Sequence, residues 1–328
     1  MADALIAAFD AVLSDLDGVV YAGPHAIPGA VESLKRLQTV GVGLGYVTNN
    51  ASRTPAQVAA HLRELGAPAE DQQVVSSSQA AGDLMASMLP EGAHVLITGS
   101  AALAHEIELV GLKPVYSAAE NPVAVVQGFN PELGWRDLAE ASYVVAGGAQ
   151  WFATNTDMSI PQARGMAPGN GTLVAAVAAA TGKAPIVAGK PEAPLFHAAA
   201  KRLNADRPLV VGDRLDTDIL GGNRAGFATA AVLTGVDTTQ SILAARTEER
   251  PTYLLADLKD LYEPYPGVVD DGGTFRCGSA SAYVVDGTVV VRGSDADLDA
   301  WRAACAAWWA AVPDATAAQS PKLEWQTR

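Results

Sequence analysis

The stretch Val12-Leu13-Ser14-Asp15-Leu16-Asp17-Gly18-Val19-Val20 constrains the fold more than any other. A short run of β-branched and aliphatic residues, too short for a helix, stops at two aspartates one residue apart and then a glycine. It reads as a buried strand that ends in a sharp turn. In an open α/β sheet, ligands bind outside the carboxyl ends of the strands. Side chains alternate along a strand, so Asp15 and Asp17 would point the same way if the strand ran on. Two carboxylates this close repel each other. The pair calls for a divalent metal, a shared proton, or both.

The text that follows alternates between strand and helix patterns. Pro28 opens a helix with Val31, Leu34 and Leu37 at helical spacing. Residues 43–47 form the next strand, which stops at Thr48-Asn49-Asn50. Thr54-Pro55 begins a second helix, and Val74–Ser78 reads as a strand end feeding a third. This is the signature of a doubly wound parallel sheet. From about His94 the pattern restarts as a smaller α/β unit. Strands are expected at 94–97, 123–128, 143–146 and 151–154, with a short helix at 135–141 between the second and third. A polar loop is expected at 155–171, and an alanine-rich helix at 173–181. At Ile186-Val187-Ala188-Gly189-Lys190-Pro191 the first pattern resumes, and the strand Pro208–Gly212 leads into GDRLDTDILGG. The expected organisation is therefore a Rossmann-like core (1–92 and 185–262) interrupted by an inserted α/β domain (93–184). After the linker Glu263-Pro264-Tyr265-Pro266-Gly267 comes a small α+β extension (263–328). There a hairpin turns at Asp286-Gly287, and a helix carries Trp301, Cys305 and Trp308 on one stripe. Trp301, Trp308 and Trp309 read as a packed core, with a regulatory or dimerising surface, and hence a homodimer, as the alternative.

Composition narrows the partners. A net charge of −14 argues against nucleic acid, which needs clustered Lys and Arg. It leaves room for a small phosphorylated metabolite, whose charge is met locally. Asp3 and Asp10 interrupt the mildly apolar start, and no basic segment precedes it, so no signal peptide is expected. No run of about 18 apolar residues exists, so no membrane span is expected. Cys277 and Cys305, the only cysteines, lack metal spacing and read as packing residues in a reducing cytoplasm.

Three further strand ends carry chemistry that matches the first. Thr48 offers a hydroxyl with Asn49 behind it, Lys190 sits between Gly189 and Pro191, and Asp213 ends an apolar strand with Asp216 and Asp218 following. The set DLDGVV, VTNN, VAGKP and GDRLDTDILGG resembles the haloacid dehalogenase superfamily. With ATNTD and PGNGTL in the insert, the chain resembles its C2-capped NagD and p-nitrophenyl phosphatase branch, which includes phosphoglycolate and glycerol-3-phosphate phosphatases. The resemblance covers residues 11 to about 262. The remainder is similar to a C-terminal extension found among the glycerol-3-phosphate phosphatases. Receiver domains also combine an acidic pair, Thr, Lys and Mg²⁺, but they are too short to place Lys190 so far beyond Asp17.

The resemblance implies a Mg²⁺-dependent phosphatase. Asp15 is the expected nucleophile, forming an aspartyl-phosphate, and Asp17 the expected acid and base, with a raised pKa. Mg²⁺ is expected on the Asp15 carboxylate, the Asp17 backbone carbonyl and Asp213, with Asp218 orienting a bound water and Asp216 a weaker candidate. Thr48, Asn49 and Lys190 are expected to bind the phosphoryl group. The insert is expected to cap the site and read the rest of the substrate through Asn155, Asp157 and Arg164. Glycerol 3-phosphate is the expected substrate, with phosphoglycolate, nucleotides or pyridoxal phosphate as alternatives. Ile160 stands where relatives specialised for pyridoxal phosphate carry a histidine, which favours a small polyol phosphate.

Overall fold

The computed structural model describes residues 3–51, 53–162 and 164–326. The chain forms two compact units, Met1–Leu44 with Leu65–Pro68 and Ala205–Arg328, and Gly45–Glu64 with Ala69–Asn204. No helix among the described residues is long and apolar enough to cross a membrane.

In the first unit four parallel strands lie in the order Tyr253–Leu255, Ala228–Val232, Pro208–Gly212 and Ala11–Ser14. All four residues of Ala11–Ser14 and all five of Pro208–Gly212 are buried, as expected for strands covered on both faces. The two strands pair with Ser14 opposite Val211. The residues that leave their carboxyl ends, Asp15 and Asp213, are therefore neighbours by register. The strand Gly43–Thr48 leads into the second unit, where it runs parallel to Val74–Ser76.

The second unit contains a five-stranded parallel sheet, ordered Ile186–Val187, Gln150–Ala153, Ala124–Gln127, His94–Thr98 and Lys113–Val115. Three expectations change here. Residues 143–146 are the last turn of the helix Trp135–Ala146, not a strand. Val144 and Val145 suggested β-structure, but with Ala141 they form a helical stripe packed on Leu96, Val125 and Trp151. The expected loop 155–171 contains the antiparallel hairpin Ser159–Gln162 and Gly165–Pro168, and the next helix starts at Asn170. Gly165, at φ 125°, supplies the turn conformation that side chains disfavour. Ile186–Val187, expected to resume the first pattern, pairs with Phe152–Ala153 on the edge of the second unit's five-stranded sheet.

Residues 269–326 carry five strands rather than two. They are Val269–Asp271, Thr274–Cys277, Ala280–Val285, Thr288–Arg292 and Lys322–Gln326, with the helix Leu298–Ala311 before the last. Asp286 and Gly287 both have positive φ, as the Asp-Gly hairpin requires. The final two strands run parallel, and the helix makes the crossover between them. Trp301, Cys305 and Trp308 pack in one cluster with Leu215, Ile219, Ile242 and Leu254. The indole N–H groups of Trp301, Trp308 and Trp309 donate to the carbonyls of Asp295, Gln319 and Leu243. The tryptophans are thus core, and their polar edges are satisfied. Burial pushes the Cys277 and Cys305 thiols up to about 12, and both are free of disulfides.

Trp301→Ala removes a large buried side chain from this shared cluster. It is expected to lower the unfolding free energy by about 3–5 kcal/mol in urea denaturation. Both thiols are expected to resist a thiol reagent at pH 8 until the protein unfolds, because a neutral thiol is a poor nucleophile.

Candidate active site

A cluster of acids belongs to the first unit. The carboxylates of Asp15, Asp213 and Asp218 present oxygens that all lie within 4.8 Å of one another. Asp213 and Asp218 are buried, and Asp15 is half-buried. Backbone pairing sets the first two, since Asp15 N–H donates to Val211 O at 2.9 Å and continues the parallel ladder past Ser14. Asp218 arrives by a wide turn, Leu215–Ile219, in which the Ile219 N–H reaches the Arg214 carbonyl five residues back. Such π-type turns recur at functional sites. Backbone donors hold the buried carboxylates, from Val236 N–H to Asp213 Oδ2 at 2.8 Å and from Arg214 N–H to Asp218 Oδ2 at 3.2 Å.

Three glycines clear the space around them. A Cβ on Gly18 or Gly235 would lie 2.2 or 2.0 Å from Asp213 Oδ2, and one on Gly212 would lie 2.1 Å from the Asp218 Cβ. Gly18 also has φ +79°, so the turn after Asp17 needs glycine for backbone conformation and for clearance. At an effective dielectric of about 20, two like charges 4.8 Å apart repel by about 3 kcal/mol. An all-oxygen, carboxylate-only donor set is what hard divalent cations take, so the residues present fit a bound cation of that class.

The other acids of these motifs are not part of that group. Asp17 is exposed, and its backbone forms an isolated bridge with Tyr21. Its carboxylate does not belong to the three-carboxylate group. Asp216 is exposed and makes a two-point pair with Arg214, Nε to Oδ1 at 3.0 Å and Nη2 to Oδ2 at 2.8 Å. Of the two acids ranked behind Asp213, Asp218 joins the group directly and Asp216 turns away. The segment 234–237, unmarked by any charged motif, also belongs to the site. Thr234 Oγ1 donates to Gly18 O at 2.6 Å, and Asp237 accepts from Leu215 N–H at 2.7 Å. Its one sequence signal is that Thr234-Gly235 comes just after the strand Ala228–Val232.

The second unit gathers the other predicted residues. Thr48 and Lys190 are buried, and the Thr48 hydroxyl accepts from Asn50 N–H at 3.1 Å. Asn49 brackets the Lys190 backbone, its Oδ1 accepting from Lys190 N–H at 2.7 Å and its Nδ2 donating to Lys190 O at 3.1 Å. Asn155 Nδ2 donates to Asn49 O at 2.8 Å, and both Asp157 oxygens accept from Asn49 Nδ2 at 3.2 Å. Asn49, Lys190, Asn155 and Asp157 are thus brought together. Arg164 is exposed in the turn of the hairpin.

A parallel sheet with acidic strand ends of this kind has clear relatives. Residues 12–113 match the profile of the haloacid dehalogenase-like hydrolases, and residues 187–261 match a second HAD-hydrolase-like profile. The chain belongs to the haloacid dehalogenase-like hydrolases. It is 44% identical over 298 residues to the D-glycerol 3-phosphate phosphatase of Mycobacterium tuberculosis, covering 86% of this chain and 84% of that one. It is 37% identical over 254 residues to the acid sugar phosphatase of Staphylococcus aureus, covering 77% of this chain and 96% of that one. Among solved structures, the M. tuberculosis glycerol phosphate phosphatase in complex with calcium superposes with a TM-score of 0.90 at 42% identity, covering 98% of this chain and 94% of that one. Its complex with magnesium superposes at 0.88 and 40%, covering 100% and 96%.

Gly235→Ala forces a methyl into the Asp213 carboxylate. It is expected to weaken divalent-cation binding at least about tenfold by calorimetric titration. Gly267→Ala, whose added methyl meets nothing within 4 Å, should leave that affinity unchanged.

Proposed function

We propose that this protein is a Mg²⁺-dependent phosphatase of small phosphate monoesters, with glycerol 3-phosphate as its substrate. The observation that carries the reading is the Asp15, Asp213 and Asp218 group, in a chain 44% identical to a D-glycerol 3-phosphate phosphatase. A phosphate monoester is inert because its oxygens repel nucleophiles and its alkoxide leaves poorly. Catalysis therefore needs charge neutralisation, positioning and a proton for the leaving oxygen.

In this reading Asp15 attacks phosphorus and carries the phosphoryl group as an aspartyl-phosphate. Asp17, exposed beside the turn at Gly18, gives its proton to the departing glycerol oxygen and then takes one from the attacking water. The Thr48 hydroxyl already accepts from Asn50 N–H, so its own hydrogen is directed to a phosphoryl oxygen. The Lys190 ammonium offsets the negative charge of that group. Asp15, the Asp17 carbonyl and Asp213 are assigned to hold Mg²⁺, with Asp218 beside them. The bound ion supplies electrostatic stabilisation of the transferring charge. Residues 93–184 are assigned as the cap that reads the non-phosphate end, with Arg164 as its reading group.

A panel of phosphate monoesters assayed for released phosphate, with and without Mg²⁺, tests the reading. Glycerol 3-phosphate is expected to give the highest kcat/KM and to depend on the metal. A tenfold preference for a sugar phosphate or phosphoglycolate would overturn the substrate, and metal-independent turnover would overturn the class. Asp15→Asn is expected to lose at least about a thousandfold in kcat while staying folded by circular dichroism. Asp17→Asn is expected to lose about a hundredfold or more in kcat, with Mg²⁺ affinity unchanged in calorimetry.

A further inference from the structure

We infer that the loop Thr154–Asp157 is a positioning device for Lys190, acting through Asn49, and does not read the substrate. The inference rests on the assignment of Lys190 to the phosphoryl group and deepens it. A lysine is a point charge on a flexible four-carbon stem. Its value to a transition state depends on how firmly the stem's origin is held. Here Asn49 holds both sides of that origin, with hydrogen bonds of 2.7 Å to the Lys190 N–H and 3.1 Å to its carbonyl.

Asn49 is in turn held from the loop. Asp157 accepts from its Nδ2 with both oxygens, and Asn155 donates to its carbonyl at 2.8 Å. Asn155 is then fixed from behind. Its carbonyl accepts from Asn170 Nδ2 at 2.7 Å, and its Oδ1 accepts from Asp157 N–H at 3.3 Å. Asn155 and Asn170 are 4% and 1% exposed, and the Nδ2 groups of both donate to backbone carbonyls of the protein. The path Asn170, Asn155, Asn49, Lys190 is continuous.

The glycines around it show that the backbone is built for the contact. A Cβ on Gly189 would lie 2.3 Å from Thr154 O and 2.5 Å from Asn49 Oδ1. One on Gly171 would lie 2.2 Å from Thr156 O, and one on Gly169 would lie 2.2 Å from Asp157 O. Gly189 N–H also donates to Thr154 O at 2.8 Å, which ties the residue before the lysine to the first residue of the loop. A mere connection has no need of close backbone approach at three places.

Orthovanadate, titrated calorimetrically into the full-length protein at saturating Mg²⁺, reports on the phosphoryl site without turnover. Lys190→Ala sets the reference loss. Asn155→Asp, which replaces a donor by an acceptor at equal size, and Asp157→Ala are each expected to weaken vanadate about tenfold. In the Lys190→Ala background neither is expected to add a further loss. Asp157→Asn, which keeps an acceptor, is expected to recover most of the affinity. The ratio of kcat/KM for glycerol 3-phosphate to that for p-nitrophenyl phosphate should stay constant throughout. Losses that persist undiminished without Lys190, or a changed ratio with vanadate affinity intact, would overturn the positioning role alone. An unchanged vanadate affinity in Lys190→Ala would overturn the role of the lysine and this inference with it. Should Asn155→Asp fail to fold by near-ultraviolet circular dichroism, the Asp157 pair carries the test.

Discussion

Mutual repulsion among Asp15, Asp213 and Asp218 is the constraint that the first unit is built to contain. Nothing in the isolated segments would hold three acids within 4.8 Å. The parallel register of Ala11–Ser14 and Pro208–Gly212 fixes two of them, and the turn Leu215–Ile219 delivers the third. That turn is anchored by Leu215 and Ile219, whose side chains sit in the apolar cluster shared with the C-terminal helix. Hydrophobic burial behind the turn thus offsets charge crowding in front of it.

The second unit handles the opposite charge by a different means. Lys190 is 3% exposed, and its backbone is bracketed by one asparagine side chain. Asn49 suits this task because its amide offers a donor and an acceptor at once, which a carboxylate or an ammonium does not. In each unit, neutral amides or backbone N–H groups hold the segment that carries the charge.

Much of this was legible in the sequence because the relevant signals are local. Apolar runs that stop at Asp15, Thr48 and Asp213 mark strand ends, and Asp286-Gly287 specifies its own turn. The less legible parts depend on tertiary context. Val144 and Val145 favour strands by type, yet the sheet beneath them accepts a helix face. The hairpin at 159–168 was hidden by Pro161 and Pro168, which are poor strand formers except at edges. Asp216 and Asp218 stand two residues apart in one motif, and the wide turn sends the first to Arg214 and the second inward. The loop at 234–237 carries no motif, and its contributions include the single backbone N–H of Val236 and a missing side chain at Gly235. Asn155 and Asp157 announced polarity in the insert, but only their partners distinguish holding from reading.

The shared cluster of Trp301, Cys305, Trp308, Leu215 and Ile219 has a consequence for how the molecule comes apart. A C-terminal module joined by a Pro-rich linker would ordinarily melt on its own. Here its helix and the turn Leu215–Ile219 lean on the same apolar residues, so opening one loosens the other. Free energy gained when an ion binds the folded form is thereby shared with the C-terminal sheet. Saturation of the carboxylates should accordingly slow amide exchange in Ala280–Val285 and Thr288–Arg292, strands that contribute no ligand.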